Sequence, residues 1–95
     1  MKILHLNLKK EYFLDIKSQN KPFEFRLKTP YWKKRLIGKH YDEVHFKLGY
    51  PGAEDNSRII KREYLGFENQ EINHKHFGKD EVEVFAILTT GRFIV

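Results

Sequence analysis

Residues 2–8, KILHLNL, alternate cleanly, with Leu4, Leu6 and Leu8 on one face and Ile3, His5 and Asn7 on the other. That two-residue period predicts a strand. The next stretch, 9–18 (KKEYFLDIKS), changes period: Tyr12, Phe13 and Ile16 fall on one helical face, with no proline or glycine between them. Asn20 is placed to close that helix in the left-handed conformation. A second strand is predicted over 22–29, where KPFEFRLK (21–28) puts Phe23, Phe25 and Leu27 on one side and Glu24, Arg26 and Lys28 on the other. Thr29-Pro30 then reads as an N-cap followed by a first-turn proline. It opens a short helix over 30–37 that Gly38 ends.

Alternation returns at 42–49, where Val44, Phe46 and Leu48 oppose Glu43, His45 and Lys47. YPGAEDNS (50–57) is a loop by composition. Residues 58–67 predict another strand, with imperfect alternation that suggests a bulge, and the polar 68–81 predict mostly irregular chain. VEVFAILTT (82–90) is apolar on both faces except at Glu83, the pattern of a central strand covered on each side. Gly91 permits a turn, and RFIV adds a last short strand. The expected architecture is mainly β (α+β): five to six strands and one or two short helices in a single domain over 1–95. So many short strands leave exposed edges unless a curved sheet or small barrel hides them.

Composition narrows the class. The 95 residues are 40% hydrophobic and 15% aromatic, enough for one core, and 33% charged. With no cysteine there is no disulfide framework. MKILHLNLKK alternates where a signal peptide would carry a continuous apolar run, and no run approaches the roughly 20 residues of a membrane span. These features predict a soluble, cytoplasmic protein, expected to be a monomer, with no membrane partner.

The net charge of +5 is unevenly placed. Residues 1–50 hold 12 Lys/Arg against 5 Asp/Glu, whereas residues 51–95 hold 6 against 8. Within 21–39 seven bases accompany one acid, Glu24. The asymmetry suggests a polyanionic partner, nucleic acid first among them, or simply a lysine-rich surface.

Three groups of residues carry candidate chemistry. Glu24 and Arg26, two apart on one strand, project to one face, and Lys21 stands at the corner before them. A carboxylate between two cations can orient or exchange a proton with the lysine, and Arg offers a planar fork for phosphate or a base edge. The same spacing also describes a solvated, self-neutralising charge pair. Tyr31 and Tyr50 lie beside Lys33, Lys34, Arg35 and Lys47 and could stack unpaired bases, while Trp32 is as well explained by packing its helix onto the sheet. His74-Lys75-His76 lacks the spacing of a metal site. No cofactor and no metal are expected.

Residues 19–26, Gln19-Asn20-Lys21-Pro22-Phe23-Glu24-Phe25-Arg26, resemble the signature G-x-K-x-x-E-x-R of the ASCH domain family, within the PUA-like superfamily of small β-barrels. Lys21, Glu24 and Arg26 match; Gln19 replaces the glycine. The resemblance extends over at least residues 3–51, and the apolar strand 82–90 is in character. It implies a PUA-like barrel whose cleft binds single-stranded RNA or a modified nucleoside, lined here by Lys21, Glu24 and Arg26. It also implies an alternative hydrolase reading, on RNA or on N4-acylated cytidine, with Lys21 and Glu24 as general acid and base and Arg26 steadying negative charge. Members acting on acylated cytidine carry a threonine nucleophile where this chain has Glu24. A third reading is a basic face that docks an acidic protein.

Overall fold

Alternation in β1 (Ile3–Leu8) buries Leu4, Leu6 and Leu8 and leaves His5 and Asn7 exposed. The structure is a computed structural model and describes residues 1–52, 54–73, 78 and 80–94. After β1 come α1 (Lys10–Lys17), β2 (Phe23–Leu27), α2 (Pro30–Leu36), β3 (Glu43–Leu48), β4 (Ile59–Glu63), β5 (Phe67–Ile72) and β6 (Val82–Leu88), with one 3₁₀ turn at Asn56–Arg58. The fold is α+β and mostly sheet. The six strands form two three-stranded sheets, ordered β1-β3-β4 and β2-β6-β5. β1 and β3 are parallel; the other pairs are antiparallel. His74 and His76 lie outside the described residues. Among the described residues no helix is long and apolar enough to cross a membrane.

One core joins both sheets and both helices. The β1 leucines meet Phe13 and Ile16 of α1, Leu36 of α2, Val44 and Phe46 of β3, and Phe85 and Ile87 of β6. Each such side chain contributes roughly 1.5–3 kcal/mol by leaving water. β6 is the central strand of its sheet, with Val84 to Ile87 buried without a break, as its two-sided apolar pattern predicts.

Local chemistry accounts for both helix ends. Thr29 caps α2 by accepting from the Trp32 N–H at 3.3 Å, Pro30 occupies the first turn, and Gly38 follows the helix at φ +69°. α1 ends differently from expectation. The left-handed residue is Gln19, at φ +63°, and not Asn20. The Gln19 N–H donates to the Ile16 carbonyl and the Asn20 N–H to the Asp15 carbonyl, both at 3.0 Å. With Ser18 as C-cap, this hydrogen-bond pattern requires the left-handed conformation at the very next residue. Holding a side-chain-bearing residue there costs roughly 1–2 kcal/mol.

One expectation for the second half is corrected and another is refined. The stretch 58–67 is not one bulged strand: β4 ends at Glu63, and the chain passes Gly66, at φ +96°, into β5. The stretch 68–81, expected to be mostly irregular, begins in strand, since β5 runs to Ile72. β5 is an edge strand, paired with β6 from Phe67↔Ile87 to Ile72↔Val82. Its exposed Glu68, Asn69 and Glu71 hide the strand from hydrophobic periodicity, because the backbone of β6 supplies the pairing.

Beyond β6 the chain turns back to β4. The Glu63 N–H donates to the Arg92 carbonyl at 2.8 Å, the Ile94 N–H donates to the Lys61 carbonyl at 3.0 Å, and Phe93 bridges Arg62. Arg62 is buried, donates from Nη1 to the Gly91 carbonyl at 3.1 Å, and lies over the Phe93 ring. Gly91 permits this crossing, because a Cβ there would collide with the Glu63 carbonyl oxygen. Gly91→Ala is therefore expected to lower stability by about 1–3 kcal/mol. Urea unfolding would show this as a lower midpoint at unchanged slope, and an unchanged midpoint would refute the close approach.

Candidate functional site

β2, an edge strand, pairs with the central β6 in a register that sets Glu24 beside Ile87 and Arg26 beside Phe85. The polar face of β2 is thereby turned inward. Glu24 is only 6% exposed, so it is no solvated surface charge. Its Oε2 meets Arg26 Nη2 at 3.0 Å and its Oε1 lies 3.8 Å from Lys21 Nζ. Arg26 also donates from Nη2 to the Asn7 carbonyl at 3.1 Å, reaching across from β2 to β1. Its Nε is buried with no hydrogen-bond partner among the described residues.

These three residues form the floor of a cleft of about 300 Å³ between the end of β1 and the edge of β2. Tyr12 of α1 and Trp32 of α2 form its aromatic sides, and Asn7, Lys9 and Thr29 complete its polar rim. The guanidinium of Arg26 lies 5.0 Å from the Trp32 ring centroid. Lys21 Nζ lies 5.2 Å from the Tyr12 centroid and 4.8 Å from that of Phe25. Such cation–ring contacts contribute roughly 0.5–2 kcal/mol each, and here they hold both cations over the carboxylate. Trp32 also packs against the core, so the packing role and the cleft role coexist in one side chain.

The Lys21 corner is tied down from β6. Thr89, buried just past the end of that strand, donates from Oγ1 to the Lys21 carbonyl at 2.5 Å, and its N–H donates to the Pro22 carbonyl at 3.0 Å. Sequence reading missed Thr89, Tyr12 and Asn7, which all lie far along the chain from 21–26 or on another element. Only the helical face shared by Tyr12 and Phe13 hinted at any of them.

The other residues singled out from the sequence lie elsewhere. Tyr31, Lys34 and Arg35, with Lys39 and Tyr41, line a second cleft that shares no lining residue with the first. Lys33 is exposed and lines neither cleft. Lys47 stands opposite Asn7 in the β1–β3 register, and its charge acts on His5. Burial, then Lys47 and His45, hold the His5 pKa below its usual value. Tyr50 is 91% exposed and lines neither cleft. Among the described residues no group of His, Asp and Glu is arranged to hold a metal ion.

Burial raises the Glu24 pKa above its usual 4.5, and the opposing pull of Arg26 and then Lys21 is smaller. The carboxyl therefore keeps its proton in the folded chain at pH values where the unfolded chain has lost it. Its contribution to stability is full below the usual value and is lost as pH rises through the folded value. Glu24→Gln removes this loss. Urea unfolding across a pH series is expected to show the variant gaining on the wild-type chain as pH rises from about 4.5 toward neutrality. A difference independent of pH would show that Arg26 and Lys21 fully offset the burial.

No family model, no curated protein and no solved structure matches this chain.

Proposed function

We propose that the chain is an ASCH-type, PUA-like domain that binds single-stranded RNA or a modified nucleotide in the cleft around Lys21, Glu24 and Arg26. The observation that carries this reading is a carboxylate nine-tenths buried between two cations, on the floor of a cleft with aromatic sides. Lys21 and Arg26 would meet a phosphate or a base edge, and Glu24 would accept from a base amino group. Tyr12 and Trp32 offer the ring faces on which an unpaired base stacks. Further support comes from Gln19, whose left-handed φ falls at the position of the signature glycine. In this reading the two sheets belong to one barrel of PUA-like type. Its support is the crossing of residues 92–94 from β6 to β4 on one side and the Arg26–Asn7 bond from β2 to β1 on the other.

The second reading, a hydrolase, has its own observation: the raised pKa of Glu24 suits a group that gives and takes protons. Against it stands the Lys21–Glu24 separation of 3.8 Å, longer than a hydrogen bond. Binding is therefore the preferred reading.

Incubation of the purified chain with labelled single-stranded RNA and with N4-acylated cytidines, scoring both retention and product, separates the two. Retention without product is expected, with Arg26→Gln weakening it roughly 10- to 100-fold, the worth of a hydrogen bond to a charged group. Release of the acyl group by the wild-type chain, falling by about 10²–10⁴-fold in Glu24→Gln, would establish the hydrolase instead. Neither retention nor product would dismiss both.

A further inference from the structure

α2 separates two clefts, and consecutive residues belong to different ones. Trp32 lines the cleft of Glu24, whereas Tyr31 lines the second cleft with Lys34, Arg35, Lys39 and Tyr41. The two rings touch edge to face with centroids 5.0 Å apart. The touching rings of Trp32 and Tyr31 thus make the two clefts neighbours.

The second cleft carries three cations, Lys34, Arg35 and Lys39. The Arg35 guanidinium lies 4.2 Å from the Tyr31 ring centroid, which orients it without neutralising it. Tyr41 donates to the Arg35 carbonyl at 2.5 Å and packs edge to face on Tyr64, with centroids 5.4 Å apart, so the wall opposite is fixed. Among the described residues no carboxylate lies within ion-pair distance of Lys34, Arg35 or Lys39. Lys34 and Arg35, in the last turn of α2, gain a little from the helix dipole. Lys39 lies past the helix end, so that explanation does not extend to it.

We infer that the face formed by Tyr31, Lys34, Arg35, Lys39 and Tyr41 is a second subsite for the phosphodiester backbone of a single-stranded oligoribonucleotide. The ligand is then a chain longer than one nucleotide, with one unit in the Glu24 cleft and flanking phosphates across α2. This rests on the nucleotide-binding reading above and decides within it between a polymer and a free nucleoside. A neighbouring pair of subsites joined by one ligand raises affinity through effective concentration, and cationic contacts to phosphates make it dependent on salt.

The test compares an equimolar mixture of the four ribonucleoside 5′-monophosphates with a random-sequence octaribonucleotide. Both are titrated against the wild-type chain, the triple variant Lys34→Gln/Arg35→Gln/Lys39→Gln, and Arg26→Gln. All three substituted side chains of the triple variant are exposed. The octamer is expected to bind the wild-type chain more tightly than the monophosphates. In the triple variant the octamer should weaken roughly tenfold or more at low salt, and its log–log salt slope should become shallower by about 2, from about 0.7 per lost phosphate contact. Monophosphate binding should be unchanged there and reduced in Arg26→Gln. An octamer that binds no more tightly than the monophosphates, or that keeps its affinity and slope in the triple variant, overturns the second subsite while leaving the first cleft standing. Polyglutamate bound as tightly as the octamer, and lost in the triple variant, assigns the face to an acidic protein and overturns it too. If neither nucleotide probe binds, the nucleotide reading itself falls, and the inference with it.

Discussion

The parallel pairing of β1 with β3 is the constraint on which the rest of the molecule depends. Parallel neighbours cannot be joined by a tight turn; the chain must travel back along the sheet before it can pair again. Here that return contains α1, β2 and α2. The two helices contribute Phe13, Ile16 and Leu36 to the core, while β2 leaves the first sheet and pairs with β6 in the second. A strand within a crossover, bound to a different sheet, necessarily leaves a seam beside the strand it departed from. The cleft is that seam. Its walls are the end of β1, the edge of β2 and the helices on either side.

A seam between sheets exposes backbone groups, and the charged triad answers that exposure as well as any ligand. Arg26 serves the Asn7 carbonyl of β1 and the Glu24 carboxylate of β2 from a single nitrogen. Taking a carboxylate out of water costs several kcal/mol, and a close cation with good geometry recovers it only in part. The raised pKa of Glu24 expresses the remainder. The triad is thus a site held under electrostatic tension, with cations placed by ring contacts and by the Thr89 bond to the Lys21 carbonyl. Replacing the triad with apolar side chains of similar volume would relieve that tension, so the triad adds little to stability.

The basic excess of the first half has a spatial meaning that composition only hints at. Lys21 and Arg26 are half-buried and share the one carboxyl of Glu24, whereas among the described residues no carboxylate lies within ion-pair distance of Lys34, Arg35 or Lys39. Of the seven cations at 21–39, two thus line the cleft of Glu24 and three line the second cleft.

Much of the fold was legible because it rests on local physics. Alternation marked the inward leucines of β1, the two-sided apolar run marked β6 as central, and Thr29, Pro30 and Gly38 bounded α2 by capping rules alone. The charged spacing of Lys21, Glu24 and Arg26 likewise placed three candidate residues together. What the chain could not show locally was left to tertiary pairing. β5 is polar, and only the backbone of β6 makes it a strand. The left-handed turn fell on Gln19 because the helix ended at Ser18, not because of the residue's own preference. Whether Glu24 faced water or the interior was undecided by period-two spacing, which separates two faces without saying which is buried. The register with β6 made that choice. Tyr12, Asn7 and Thr89 joined the cleft for the same reason: contacts between distant segments are set by how sheets and helices pack, and local residue order carries no measure of that.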